Sequence, residues 1–180
     1  MEIITTKIPD LLIVKPAVFE DNRGYFFESY NKEKFLGQGI DQNFVQDNES
    51  KSMKGVLRGL HFQAPPFAQG KLVRVMKGAV LDVAVDIRKN SPTYGQWASI
   101  ELTESNKMMY WVPPGFAHGF VTLEDNTVFF YKCTNMYNKA AEGSIRWNDP
   151  DLNINWNVES PILSEKDQIS PLFKDFISPF

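Results

Sequence analysis

The chain has 180 residues, 43% hydrophobic and 23% charged, with a formal net charge of −3; that balance suits a packed core and excludes both a disordered chain and a non-specific nucleic-acid binder, which needs a basic field. A single cysteine, Cys133, excludes an internal disulfide and a cysteine-based zinc site, and two histidines, His61 and His118, exclude a histidine-rich metal centre within one chain. A two-histidine, one-carboxylate site stays open on arithmetic; no apolar run approaches the ~18 residues of a membrane span and Met1-Glu2-Ile3 opens no basic-then-apolar leader, so the expected setting is the cytoplasm.

Short β-type runs follow one another along the chain. They are Leu11–Val18, Gly24–Ser29, Gly55–Phe62, Lys71–Met76, Ala79–Ile87, Trp97–Leu102, Lys107–Val112, Gly119–Leu123 and Thr127–Thr134. Scattered Gly and Pro punctuate them as turns. Helical signals are confined to Asn31–Leu36 and to Ser164–Gln168, where Ser164 is a candidate N-cap. With no repeat and no linker, residues 1–180 read as one all-β domain, a sandwich or small barrel with a few short helices, mainly near the C-terminus. The clearest strand puts Leu81, Val83, Val85 and Ile87 on one face and Asp82, Ala84, Asp86 and Arg88 on the other. Lys77-Gly78 suggests a hairpin joining it to Lys71–Met76.

Several residues on these runs are chemically equipped. Gln46, Asp47 and Asn48 form a polar triplet, and Arg23 and Glu28 bracket an aromatic stretch. R-G-L-H-F-Q, Arg58 to Gln63, sets a cation and a base close together. Strict alternation sends Arg58 and His61 to opposite faces, so a shared site requires a bulge at Gly59; otherwise His61 is a core histidine beside a surface arginine. Lys71 shares a face with Val73 and Val75. It either blocks an edge strand or is held inside to stabilise an anion. In W-V-P-P-G-F-A-H-G-F, a rigid turn feeds a strand through His118, to fix it at a barrel mouth or simply as a turn with a hydrogen-bonded histidine. Tyr131 lies on one face with Phe129 and Cys133 and is either a proton donor or a core phenol. Tyr137, just beyond, can stack on a base or sugar. Asp167 in S-E-K-D either orients an imidazole or completes a capping box with Ser164.

Together these stretches resemble the dTDP-4-dehydrorhamnose 3,5-epimerase family. The matching segments run in family order from D-N-R-G-Y-F-F-E-S-Y (Asp21–Tyr30) and F-V-Q-D-N-E-S (Phe44–Ser50) through G-V-L-R-G-L-H-F-Q (Gly55–Gln63) and Q-G-K-L-V-R-V (Gln69–Val75). They continue with Gly78–Gly95, P-P-G-F-A-H-G-F (Pro113–Phe120), Y-K-C-T-N-M-Y (Tyr131–Tyr137) and L-S-E-K-D (Leu163–Asp167). The resemblance implies a cupin-type jelly roll, a homodimer, and a dTDP-linked 4-keto-6-deoxyhexose as substrate in dTDP-rhamnose biosynthesis for cell-surface polysaccharide. It implies no metal and no other cofactor. Metal-binding cupins carry H-x-H, whereas His61 is followed by Phe62 and Gln63.

The roles are likewise implied by the resemblance. His61 takes the proton, Asp167 orients it, Tyr131 supplies a proton on the opposite face, and Lys71 steadies the enolate oxygen. Arg58, His118, Gln46, Asp47 and Asn48 line the sugar and pyrophosphate region, and Tyr137 stacks on thymine. Arg23, Glu28, Glu142 and Lys166 match ligand-contacting positions, Arg23 and Glu28 across a dimer interface. The tail after Leu172 carries no family signal.

The chemistry suits these residue types independently. A C4 ketone acidifies the hydrogens on C3 and C5, and the enolate needs a cation beside it. An ordinary histidine (about 6.5) is a base near neutrality, and an ordinary tyrosine (about 10) remains an acid. Three alternatives stand beside this reading. One is a one-centre epimerase or 3,4-ketoisomerase of a related nucleotide-linked 4-keto sugar; the others are a non-catalytic sugar-nucleotide binder and a metal-dependent cupin.

Overall fold

Runs of β-branched and aromatic residues too short for helices, each closed by a turn, fold as strands. The computed structural model describes residues 1–180 and contains thirteen of them. These are β1 (Glu2–Thr5), β2 (Leu12–Lys15), β3 (Phe19–Asp21), β4 (Gly24–Phe26), β5 (Gln46–Ser52), β6 (Leu57–Gln63) and β7 (Lys71–Lys77). They continue with β8 (Ala79–Asp86), β9 (Trp97–Thr103), β10 (Met109–Val112), β11 (Phe116–Thr122), β12 (Thr127–Cys133) and β13 (Glu142–Ser144). Two single-turn helices, α1 (Lys32–Phe35) and α2 (Glu165–Gln168), are capped by the side chains of Asn31 and Ser164. No helix is long and apolar enough to cross a membrane.

The strands form a six-stranded sheet, β1-β2-β10-β7-β12-β5, and a five-stranded sheet, β13-β6-β11-β8-β9. All the pairings within them are antiparallel. From β5 to β8 and again from β9 to β13 the chain changes sheet at every step, which is a jelly-roll winding. The hairpin expected at Lys77-Gly78 is therefore corrected. β7 pairs with β10 and β12, β8 with β11 and β9, and Gly78 turns a corner between sheets. Its φ is +80°, and a Cβ there would fall 2.4 Å from Thr127 Oγ1. The edge-strand reading of Lys71 fails for the same reason, because β7 lies inside its sheet.

Three apolar layers result. Val73, Val75, Val80, Ala84, Tyr110, Phe116, Phe120 and Phe129 pack between the sheets. Leu57, Leu60, Phe62, Leu81, Val83 and Val85 cover the outer face of the five-stranded sheet, beneath Ile145, Leu152 and Trp156. Leu12, Val14, Leu72, Met109 and Trp111 do the same for the other sheet, beneath Phe35 and Ile40. The alternation expected along β8 holds, yet every residue of the strand is buried because both faces are covered. The tail also acquires a role, since Phe173, Phe176 and Phe180 pack on the outer layer of β6 and β8. Each such ring is worth up to about 1.5–3 kcal/mol when fully buried.

Part of the long Gly78–Gly95 motif is scaffold. Asp86, fully buried, accepts from Arg88 Nε (2.9 Å) and Nη2 (2.7 Å), from Ser91 Oγ (2.5 Å) and from Thr93 Oγ1 (2.7 Å). This charge-assisted network fixes the turn after β8.

The decisive local feature lies on β6. His118 pairs with His61 and Phe120 with Arg58, so β6 carries one residue more than β11 across the same span. Gly59 is that residue. Its φ is +139°, and a Cβ would sit 2.6 Å from Gly119 Cα. Leu57, Leu60 and Phe62 consequently pack outside, while Arg58 and His61 both line the interior cavity. Gly59→Ala must strain both the dihedral and the backbone contact. We expect it to lose about 2 kcal/mol or more of stability, read as a lower urea midpoint; a wild-type midpoint would refute this account of the bulge.

Candidate active site

Between the open ends of the sheets lies a cavity of about 450 Å³ lined by Arg58, His61, Lys71, His118, Phe120, Phe129, Tyr131 and Asp167, with Ser164 and Leu163 at its side. A second lobe of about 250 Å³ shares His61, Lys71 and Tyr131 and adds Gln46, Asn48, Tyr137 and Glu142. The sandwich divides the functional groups between two walls. Arg58, His61 and His118 come from β6 and β11 of one sheet; Lys71 and Tyr131 come from β7 and β12 of the other.

His61 Nε2 lies 2.5 Å from Asp167 Oδ1. A carboxylate at this distance holds the proton on Nε2 and leaves Nδ1 as the basic atom. Asp167 is itself buried at the start of α2. Burial pushes its carboxyl up, but the hydrogen bond and charge of His61, with help from Ser164, outweigh that and hold it below the usual carboxylate range. Its N–H donates to Ser164 Oγ (3.2 Å), the N-cap half of a capping box, while its carboxylate lies against the imidazole instead of returning to the Ser164 N–H.

Across the cleft, Lys71 Nζ lies 5.8 Å from the centroid of the Tyr131 ring. Burial drives the Lys71 ammonium below its ordinary value, against Cys133, Asp82 and Glu142, which raise it. Burial lifts the Tyr131 phenol above its ordinary value; Cys133 and Glu142 act in the same sense and Arg58 opposes them. Tyr131 therefore stays protonated through the neutral range, as an acid must.

His118 is held by a residue that the sequence did not single out for the site. Its Nε2 lies 2.8 Å from Asp82 Oδ1, and the Asp82 side chain is 0% exposed. Burial raises the Asp82 carboxyl, opposed by His118 and Lys71. The available signal was a carboxylate on the inward face of an apolar strand. Each histidine thus has its own carboxylate, and no group of three or more His, Cys, Asp and Glu converges to hold a metal ion.

The remaining expected residues divide. Gln46 accepts from the Tyr137 N–H (2.9 Å) and donates to Asn48 Oδ1 (3.0 Å), so these three edge the second lobe together. Tyr137 is 56% exposed there, and its hydroxyl donates to Glu142 (3.2 Å), which also pairs with Lys166. Asp47 is a correction. Alternation along β5 turns it away from Gln46 and Asn48, and it pairs with Lys132 at 2.8 Å on the outer face. Arg23 and Glu28 also lie outside this cleft in a single chain. Arg23 pairs with Asp21 at the tip of the β3–β4 ribbon, and Glu28 with Lys34.

The Asp167 carboxylate makes an acid limb of stability. Its folded value is depressed, so its contribution is present above the usual carboxylate range and disappears as pH falls through the folded value. The wild-type unfolding midpoint should decline through that acid range, and Asp167→Asn should flatten the decline. Parallel curves for the two proteins would contradict the assignment.

Comparison with known proteins identifies the chain's relatives. A family model described as dTDP-4-dehydrorhamnose 3,5-epimerase matches residues 5–175. A relative of that description from Shigella flexneri is 53% identical over 178 residues, covering 97% of each chain. The crystal structure of a dTDP-4-dehydrorhamnose 3,5-epimerase from Elizabethkingia anophelis superposes with a TM-score of 0.94 at 53% identity, covering 97% of both chains. A Legionella pneumophila dTDP-6-deoxy-D-glucose-3,5-epimerase, solved with dTDP-4-keto-L-rhamnose, superposes with a TM-score of 0.94 at 47% identity, covering 98% of this chain and 94% of that one.

Proposed function

The chain belongs to the dTDP-4-dehydrorhamnose 3,5-epimerase family, and from that premise we propose how its residues do the work. It is an isomerase that inverts C3 and C5 of dTDP-4-dehydro-6-deoxy-D-glucose to give dTDP-4-dehydro-L-rhamnose. The observation that carries the mechanism is a carboxylate-backed imidazole and a phenol on opposite walls of one cavity.

His61 Nδ1 removes the proton from C3, and the C–H electrons move into an enolate whose oxygen was the C4 ketone. Lys71 and its charge stabilise that oxygen, which costs far less in a site already desolvated than in water. Tyr131 delivers its hydroxyl proton to the opposite face of C3, and solvent restores both groups. The cycle repeats at C5. Arg58 and His118 bind the sugar end. Gln46, Asn48, Glu142 and Lys166 bind towards the diphosphate, with Tyr137 stacking on the base. No step calls for a metal, because the cation on the enolate is Lys71. A chain whose single cysteine is buried and unpaired suits a reducing compartment, which supports the cytoplasm.

In D₂O the wild type should place deuterium at both C3 and C5 of the 4-keto sugar, in the presence of EDTA as well as without it. His61→Ala should remove the label at both carbons, with turnover falling by about 10²–10⁴-fold. Label at C3 alone would favour the one-centre reading, and loss of exchange on chelation would favour a metal-dependent one.

We also propose that the active species is a homodimer. The β3–β4 ribbon pairs with no other strand, and Phe19 (66%) and Phe26 (67%) are exposed on it. Apolar residues concentrated on a projecting ribbon support an interface between copies. Arg23 and Glu28, carried on or beside it, then reach the cleft of the second subunit. Light scattering should give twice the mass of one chain. Phe26→Asp should give a monomer with a raised KM, and a dimeric, fully active Phe26→Asp would overturn the arrangement.

A further inference from the structure

Asp167 has two carboxylate oxygens, and the dyad uses only one of them. Oδ1 faces His61, whereas Oδ2 accepts a hydrogen bond from Ser164 Oγ at 2.8 Å. The same Ser164 oxygen accepts from the Asp167 N–H at 3.2 Å. Ser164 therefore grips one residue at both backbone and side chain. A hydroxyl has one proton to give, and here it goes to the catalytic carboxylate. Partial rotation about the Asp167 Cβ–Cγ bond would twist the carboxylate plane and swing the acceptor off the imidazole. The Ser164 bond opposes that rotation.

The surrounding contacts hold the grip in place. Ser170, after α2, has its Oγ 2.9 Å from Ser144 Oγ and 3.2 Å from the Lys166 carbonyl. Ser144 is the β13 residue paired with His61 on β6. Arg146 anchors the same turn, donating Nε to the Ser170 carbonyl (2.9 Å) and its backbone N–H to the Pro171 carbonyl (2.8 Å). The helix is thus tied at both ends to the strand pair that carries the base.

We propose that Ser164 is a positioning residue for the reaction, the third member of a Ser164–Asp167–His61 chain that sets the direction and tautomer of the base. It acts through Asp167 and need not touch the sugar. This rests on His61 being the base, so the test reads the chain of bonds separately from turnover.

Three substitutions separate proton donation from helix capping. Ser164→Ala removes both. Ser164→Thr keeps both. Ser164→Asp caps the helix as an acceptor but has no proton for Oδ2 and sets a like charge beside it. Ser164→Ala should lower kcat about ten- to a hundredfold, the scale on which loosened catalytic groups lose rate, with KM little changed. Ser164→Thr should recover most of the rate, and Ser164→Asp should stay low although its thermal melt shows a folded protein. The downfield His61 Nε2–H proton resonance should shift or broaden in the Ala and Asp variants and return in Thr.

Wild-type kcat in Ser164→Ala, or recovery in Ser164→Asp equal to that in Ser164→Thr, would overturn the proposal by reducing Ser164 to a cap. If the wild type showed no solvent exchange at all, the epimerase mechanism would fall. The proton resonance across the three variants would then still decide whether Ser164 orders the dyad: shift and return supports it, and no change refutes it.

Discussion

Two backbones without side chains touch at the centre of this molecule, and the site depends on that contact. Gly59 and Gly119 lie so close that a methyl on either would clash with the other's strand. Their approach lets β6 hold an extra residue against β11. Upstream of the bulge Arg58 faces in; downstream His61 also faces in, where an unbroken strand would have turned it out. One bulge thus converts an alternating strand into a cation and a base on the same wall. The wall opposite needs no such device, since plain alternation carries Lys71 inward with Val73 and Tyr131 inward with Phe129.

Electrostatics then distribute the tasks. The interior holds two histidines, each bound to a carboxylate, and one desolvated lysine between them and the phenol. The two pairs sit in different settings. Asp167 lies where hydrogen bonds outweigh burial and keep it ionised, so it can stabilise charge on His61. Asp82 lies deeper, where burial dominates and raises it. Both imidazoles line the cavity, His61 at 27% exposure and His118, deeper, at 6%. In the proposed mechanism His61 does the basic work and His118 binds.

Much of this was legible in the sequence, for identifiable reasons. β7, β8, β9, β10 and β12 have alternating or continuous apolar residues and were placed within a residue or two. Gln46–Ser52 is polar throughout and carries no apolar strand pattern; β5 is an edge strand whose order comes from pairing with β12. Strand parity along β5 separates Asp47 from Gln46 and Asn48, and a resemblance that takes the three as one polar triplet does not carry that parity. The corner at Gly78 reads locally as a hairpin because the sequence specifies a turn but does not say which sheet the chain enters next. The tail carries no motif, yet its phenylalanines cover β6. Packing partners of that kind are set by the whole fold and by no local pattern.

The His61–Asp167 bond spans 106 positions of sequence, and this has a consequence for how the protein is made. A ribosome releases the chain from its N-terminus, and domains fold as their segments emerge. Every strand of both sheets precedes α2, so the sandwich can close while the orienting carboxylate is still unavailable. His61 meets its carboxylate only when the final segment docks. The linear arrangement of the chain thus makes closure of the sandwich and arrival of the carboxylate separable, with the strands first and α2 last.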